Sequence, residues 1–225
     1  MAESQNLTLA DNIYHYLWTQ IGNLELEPGF RLSEVSLARQ FNCSRIPVRE
    51  AVSRLAVEGA LDILPQRGSF VTQIDREQIE RVRYLRDVLE TRIVLDDFDK
   101  DILMPILPIL KSIVARQEQL IAVNDFVQVF TLDTDFHLTF YSIDDKDFVF
   151  PHAGMTEINY YRARLLTLKS EAKENMVNQH KAIVEAIETR DRAKLEAALT
   201  KHFHNLNDVI AEHELKTRAG KPYFK

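Results

Sequence analysis

From Ile79 onward, apolar residues recur at spacings of three and four and no segment alternates, so the larger part of this chain is confined to packed α-helices. Val82, Leu85, Leu89, Ile93 and Val94 mark one helix over residues 79–97. Further helices are predicted over 109–120, 126–141, 153–168, 175–189 and 192–214. Pro105 and Pro108 interrupt the apolar stretch before Ile109, where a loop or a broken helix is expected. No Gly-rich phosphate loop, Gly-x-Ser-x-Gly or His-Glu-x-x-His occurs. Residues 79–225 are therefore expected to form an all-α bundle.

The first 74 residues carry a different pattern. Ile13, Tyr14, Leu17, Trp18 and Ile21 form one helical face, and Glu27-Pro28-Gly29 turns the chain. Ser33 is placed to cap a second helix, with Glu34 in its first turn and Val35, Ala38 and Phe41 at core spacing. Asn42-Cys43 makes the next turn, Ser44 caps a third helix with Pro47 in its first turn, and Gly59 stands just past its end. On that helix Val48, Val52, Leu55 and Ala56 form the inward stripe, while Arg45 and Arg49 share another face at its N-terminal end. LDILPQRGSFVTQI reads as a strand, a Pro-Gln-Arg-Gly turn and a second strand, with Arg67 at the tip. The expected fold is mainly α: a winged helix-turn-helix of three helices plus a β-hairpin wing over 1–74, a polar hinge over 75–78, then the helical bundle over 79–225.

Charge bears on what such a head could bind. A net charge of −6 opposes bulk attraction to nucleic acid, and residues 1–74 hold six arginines, no lysines and eight acids. Between Arg39 and Arg49, however, lie three arginines and no acid. The N-terminal end of a recognition helix enters the major groove, where guanidinium groups pair with guanine edges or phosphates. The plainer alternative for Arg45 and Arg49 is a solvated helix face. PGFRLSEVSLARQFNCSRIPVREAVSRLAVEGALDILPQRGSFV resembles the DNA-binding head of GntR-type transcriptional regulators, most specifically in SRIPVREAVSRL, EGAL and RGSFV. The resemblance implies that Ser44, Arg45, Pro47 and Arg49 meet DNA at the recognition helix and that Arg67 and Gly68 track the minor groove from the wing. Ile46 stands where that family commonly has a small hydroxyl residue.

Ligand chemistry in the second part is concentrated in four side chains. Asp133 and His137, four apart in LDTDFHLTF, put a carboxylate and an imidazole on one helical face. His180 and His202 lie on later helices beside apolar residues that must face the core. If the four converge, they suit a divalent transition metal such as zinc, nickel or manganese, with positions left open. By spacing alone each histidine is more often a hydrogen-bonded core residue or a surface residue than a ligand. LDTDFHLTF, NQHKAIVEAIETRD and KLEAALTKHF resemble the FCD effector-binding domain of the FadR subfamily of GntR regulators, over roughly residues 79–212. That resemblance implies Asp133, His137, His180 and His202 as metal ligands; Asp135 and His204, each two residues from a ligand candidate, are turned to another face by helical spacing. YLRDVLETR resembles the helix that opens this domain, which makes Arg86 the residue expected to reach a carboxylate effector; an i, i+4 pair with Glu90 is its alternative. Arg162 and Arg164 fall on different faces, and spacing does not decide which points inward.

The single cysteine, Cys43, excludes an internal disulfide, no apolar run approaches a membrane span, and MAESQNLTLA lacks a signal-peptide pattern, so a cytoplasmic location is expected. The expected protein is a homodimer on a palindromic operator in double-stranded DNA, sensing a small organic acid through its metal. Repression relieved by effector is the commoner arrangement in the resembled family. A metalloenzyme would need a marked general base or a Glu-x-x-His signature, and neither occurs. A bundle that only dimerises, with packed and metal-free histidines, is the other alternative. The tail KTRAGKPYFK is expected to be mobile.

Overall fold

The computed structural model describes residues 7–154, 157–168, 173–212, 220 and 222–225. Two compact units divide the chain: Met1–Arg76 with Glu157–Arg162 and Leu215–Lys225, and Glu77–Thr156 with Ala163–Glu214.

In the first unit, helix α1 (Leu9–Gly22) starts at a capping box in which the Thr8 hydroxyl accepts from the Asp11 amide and Asp11 accepts from the Thr8 amide. Strand β1 (Arg31–Leu32) leads into helix α2 (Glu34–Gln40), where Ser33 Oγ accepts from the Ser36 amide, and Ser44 precedes helix α3 (Arg45–Val57). Ile13, Leu17 and Ile21 of α1 pack on Val48, Ala51, Val52 and Leu55 of α3 in one buried cluster. Arg54 of α3 also reaches Asp11 at 2.6 Å and lies over the Tyr14 ring. Strands β2 (Leu61–Leu64) and β3 (Gly68–Val71) form the hairpin, with Leu61 opposite Val71 and Leu64 opposite Gly68. Its turn closes through the Arg67 amide donating to Leu64 O, with Gln66 at φ 59. β1 pairs with β3, giving the antiparallel order β1-β3-β2. This third strand was not expected, because two residues are too short to show alternation.

Two expectations are corrected in this unit. Val35 is exposed, since the seven residues of α2 bury only Leu37 and Ala38. The last residues of the tail are held in place: Ile74 donates to Tyr223 O at 2.8 Å and accepts from the Lys225 amide at 3.0 Å. The Tyr223 and Phe224 side chains are buried, and Tyr223 Oη donates to Glu27. Two buried rings and a strand-like bridge outweigh the polar composition that suggested mobility.

The second unit is helical throughout its described residues. α4 (Arg76–Asp99) begins inside the segment read as the hinge. A 3-10 turn over Met104–Ile106 precedes α5 (Leu107–Ala122), with Pro108 in its first turn, where a missing amide hydrogen costs no helical bond. α6 (Phe126–Tyr141) is capped by Asp125, which accepts from the Gln128 amide. After a 3-10 segment over Asp147–His152 come α7 (Ile158–Leu168), α8 (Lys173–Glu188) and α9 (Arg192–Glu212). The unit boundary falls within α7, after Arg162. α5 packs on α6 and α8, and α8 on α9. α4 departs from its expected pattern: Leu85, read as core, is exposed with Tyr84 and Val88, while Arg86 and Glu90 are buried. A buried ion pair stands where periodicity asks for apolar residues. No helix among the described residues is long and apolar enough to cross a membrane.

Candidate functional site

Two groups of side chains have the geometry of sites, one in each unit. In the first, Ser44, Arg45, Ile46 and Arg49 are exposed at the start of α3, and Pro47 is half-buried. Ser44 occupies the cap position without a side-chain cap bond. Arg45 Nη2 and Arg49 Nε donate to the same oxygen, Glu34 Oε2, at 2.8 and 3.0 Å. The hydrogen bond from Arg45, assisted by Arg49, holds the Glu34 carboxyl below its ordinary pKa. Arg67 is exposed at the hairpin tip. Gly68, at φ 107, leaves room for the Arg31 guanidinium, which a Cβ would approach to 3.2 Å. Arg31, Glu34, Arg45, Gly68 and Ser69 share a cleft of about 430 Å³ that joins the start of α3 to the tip end of the wing. Neither Arg31 nor the ion-pairing role of Glu34 was legible, because no spacing links α2 to residues 11 and 15 positions further on.

In the second unit, α6, α8 and α9 bring His137, His180 and His202 together, with one ring nitrogen from each lying within 4.8 Å of the others. All three are buried. Asp133 Oδ1 lies 3.5 Å from His180 Nε2 and 3.9 Å from His137 Nε2, so the four residues singled out by spacing converge. Asp135 and His204 are exposed. Each imidazole is oriented from behind through Nδ1: His137 by Glu90 Oε2 at 2.5 Å, His180 by Gln117 Oε1 at 2.9 Å and His202 by Gln179 Oε1 at 3.1 Å. These acceptors place the proton on Nδ1 and leave the Nε2 lone pairs facing inward. His137 and His202 Nε2 stand 3.2 Å apart. At that distance the two nitrogens are close enough to share one proton or one cation.

Burial disfavours a proton on two of the rings, His180 and His202. Burial pushes the pKa of His180 down to about 3, and burial with the neighbouring imidazoles takes His202 well below its ordinary value. For Glu90 burial acts upward, but Arg86 and His137 overcome it and hold the carboxyl at about 2. Asp133 likewise stays ionised against burial because Arg164 Nη2 donates to its Oδ1 at 2.5 Å. His180 Nε2 and Asp133 Oδ2 are buried without a hydrogen-bond partner. Three clustered imidazole nitrogens with Nδ1 acceptors behind them, and the Asp133 carboxylate beside His180 and His137, fit a divalent transition metal.

The arginines divide between tasks. Arg86 is fully buried and bonds Glu90 through Nε at 2.7 Å, the i, i+4 pairing noted as the alternative to effector contact. Arg164 reaches Asp133 and its Nε has no partner, whereas Arg162 is bonded to Thr72 and Asn159. Glu90, Gln117 and Gln179 escaped the sequence reading. Only the Arg86/Glu90 spacing pointed to any of them.

Comparison with known proteins identifies the domains that carry the two groups of side chains. Residues 9–71 match the profile of bacterial regulatory proteins of the gntR family, and residues 105–205 match that of the FCD domain. An HTH-type transcriptional regulator in an unstable DNA locus of Streptomyces ambofaciens is 29% identical over 211 residues, covering 93% of this chain and 88% of its own length. The HTH-type transcriptional repressor RspR of Escherichia coli K12 is 28% identical over 201 residues, covering 89% and 88%. The fold is shared with a transcriptional regulator GntR from Rhodococcus sp. RHA1, at a TM-score of 0.72 and 19% identity over 91% of this chain and 98% of that one. The chain belongs to the GntR family of bacterial transcriptional regulators, carries an FCD domain after its winged helix-turn-helix, and is a regulator rather than an enzyme.

Proposed function

We propose that this protein is a homodimeric, sequence-specific repressor of the FadR subfamily, acting in the cytoplasm. Residues 1–74 bind a palindromic operator in double-stranded DNA, 75–78 serve as the hinge, and 79–225 dimerise and take up a divalent metal with a small carboxylate effector. One observation carries the sensor half: ring nitrogens of three buried histidines cluster, two of them 3.2 Å apart, with Asp133 Oδ1 3.5 Å from His180 Nε2. Repression is supported by RspR, a relative named as a repressor.

Each set of side chains has its part. Ser44, Arg45, Pro47 and Arg49 meet the major groove, Arg67 and Gly68 the minor groove, and Ile46, with 76% of its surface exposed, offers methyl groups to a thymine methyl. Asp133, His137, His180 and His202 hold zinc, nickel or manganese, and the bound ion supplies Lewis acidity that anchors a carboxylate. Arg164, whose Nε is unpartnered, faces the same cluster and suits an anion; Arg86 acts on the site through Glu90. Tyr84, Leu85 and Val88, exposed together on α4, provide an apolar surface for a second copy.

The test is selection of duplexes from a randomised DNA pool, followed by titration of the bound complex with small mono- and dicarboxylates. A consensus with two-fold symmetry, released by a carboxylate only when metal is present, is expected. Failure to enrich any sequence would contradict the operator reading, and release that ignores metal would contradict the sensor reading.

A further inference from the structure

A carboxylate among DNA-facing arginines works against phosphate binding, yet Glu34 is anchored there. Its Oε2 accepts from Arg45 Nη2 at 2.8 Å and from Arg49 Nε at 3.0 Å. The Glu34 side chain is 24% exposed, against 53% and 62% for the two arginines, so the acid sits beneath the guanidinium groups. Ser33 caps the helix that carries it. Among the described residues neither arginine has a second ion pair, which leaves the Nη1 and Nη2 groups of Arg49 facing outward without a protein partner.

We propose that Glu34 sets the specificity of the DNA-binding unit, by tethering Arg45 and Arg49 in the free protein and opposing every phosphate that competes for them. This rests on the reading of α3 as the operator-binding helix. Attraction between arginine and phosphate is blind to sequence and supplies most non-specific affinity. A phosphate that draws in both guanidinium groups must share or displace the Glu34 carboxylate, and one that takes only the outward Nη groups is still repelled by that carboxylate's charge, a penalty that is the same for all sequences. A guanine edge is different because its acceptors carry only partial charge and meet little of that repulsion. Its N7 and O6 accept from the outward Nη groups of Arg49 while Nε stays on Glu34, so the correct base adds bonds without breaking the tether. The tether also orders the guanidinium before binding, which reduces the side-chain entropy lost on the complex.

The experiment compares wild type, Glu34→Gln and Arg49→Ala on two probes: a duplex selected by the wild-type protein from a randomised pool, and a shuffled duplex of the same composition. Dissociation constants are measured across a salt series, and thermal unfolding confirms that each variant is folded. Glu34→Gln is expected to bind the shuffled duplex on the order of threefold to tenfold tighter, with a salt slope steeper by about one, while its affinity for the selected duplex rises less. The ratio of the two affinities therefore falls. Equal gains on both probes, equal losses, or no change would overturn the proposal. Arg49→Ala separates it from its premise: if that variant binds the selected duplex as wild type does, or if wild type selects no duplex, the α3 reading fails and the role of Glu34 with it.

Discussion

His180 condenses the logic of the second unit into one side chain. Its Nδ1 is bonded to Gln117, its ring stacks on Phe136 with centroids 4.0 Å apart, and its Nε2 is buried with no partner. A group held this rigidly and left unsatisfied is preorganised for a ligand. Gln117→Leu keeps the volume but frees the ring, and should weaken metal affinity by about 10–100-fold in a competitive chelator titration, with unfolding little changed. An unchanged affinity would remove Gln117 from the site. Protonation acts on the same atoms. His180 has a folded pKa near 3 against an ordinary 6.5, so the unfolded chain takes a proton that the folded one refuses. The stability this gives is present above pH 6.5 and is lost as pH falls toward about 3. Chelator-treated protein should show a melting midpoint that declines across that window; a flat profile would mean the imidazole is charged in the fold. On the DNA side, Arg49→Ala should lower operator affinity by about 1–3 kcal/mol if it makes a bidentate base contact, as read from equilibrium binding.

Among elements, legibility tracked how locally each was determined. α6 spans Phe126–Tyr141 as its apolar spacing indicated, and α3 begins after Ser44 where capping chemistry placed it. Their signals lie within a turn or two of sequence. α4 was legible as a helix but its buried face was not, because Arg86 and Glu90 take inner positions while Tyr84, Leu85 and Val88 lie outside. The orienting amides were invisible for a related reason: Gln117 and Gln179 lie 63 and 23 residues from the histidines they hold, and glutamine carries no spacing signature. The bridge between Ile74 and Phe224 joins segments too short to show a strand pattern. Deleting residues 222–225 removes the buried Tyr223 and Phe224 rings along with that bridge, and should destabilise the first unit by roughly 2–4 kcal/mol in denaturant unfolding. Equal stability of the truncated chain would show the segment to be passive. The exposed α4 stripe makes its own prediction. Leu85→Asp with Val88→Asp should shift the protein from dimer to monomer in sedimentation while metal content stays the same; persistence of the dimer would move the interface elsewhere.

For the whole molecule, the comparisons make the chain a transcriptional regulator with a GntR-type head and an FCD domain, and the proposed sensor lies in the latter. The winged head was legible in the sequence because it depends on residue type at short spacing, as was the Asp133/His137 pair, while His180 and His202 were joined to that pair only by the family resemblance. Coupling between the ligand and DNA affinity is reciprocal by linkage, so an effector that loosens the operator must itself bind less tightly to the DNA-bound form. Everything on the sensor side depends on whether the histidine cluster holds an ion. The decisive measurement is elemental analysis of protein purified without an affinity tag or added metal, for wild type and His180→Ala, expressed per chain. About one transition-metal ion per chain in wild type, lost in the variant, is the predicted result. Metal-free wild-type protein that also fails to take up zinc, nickel or manganese on titration would contradict it, and would reduce the cluster to packing.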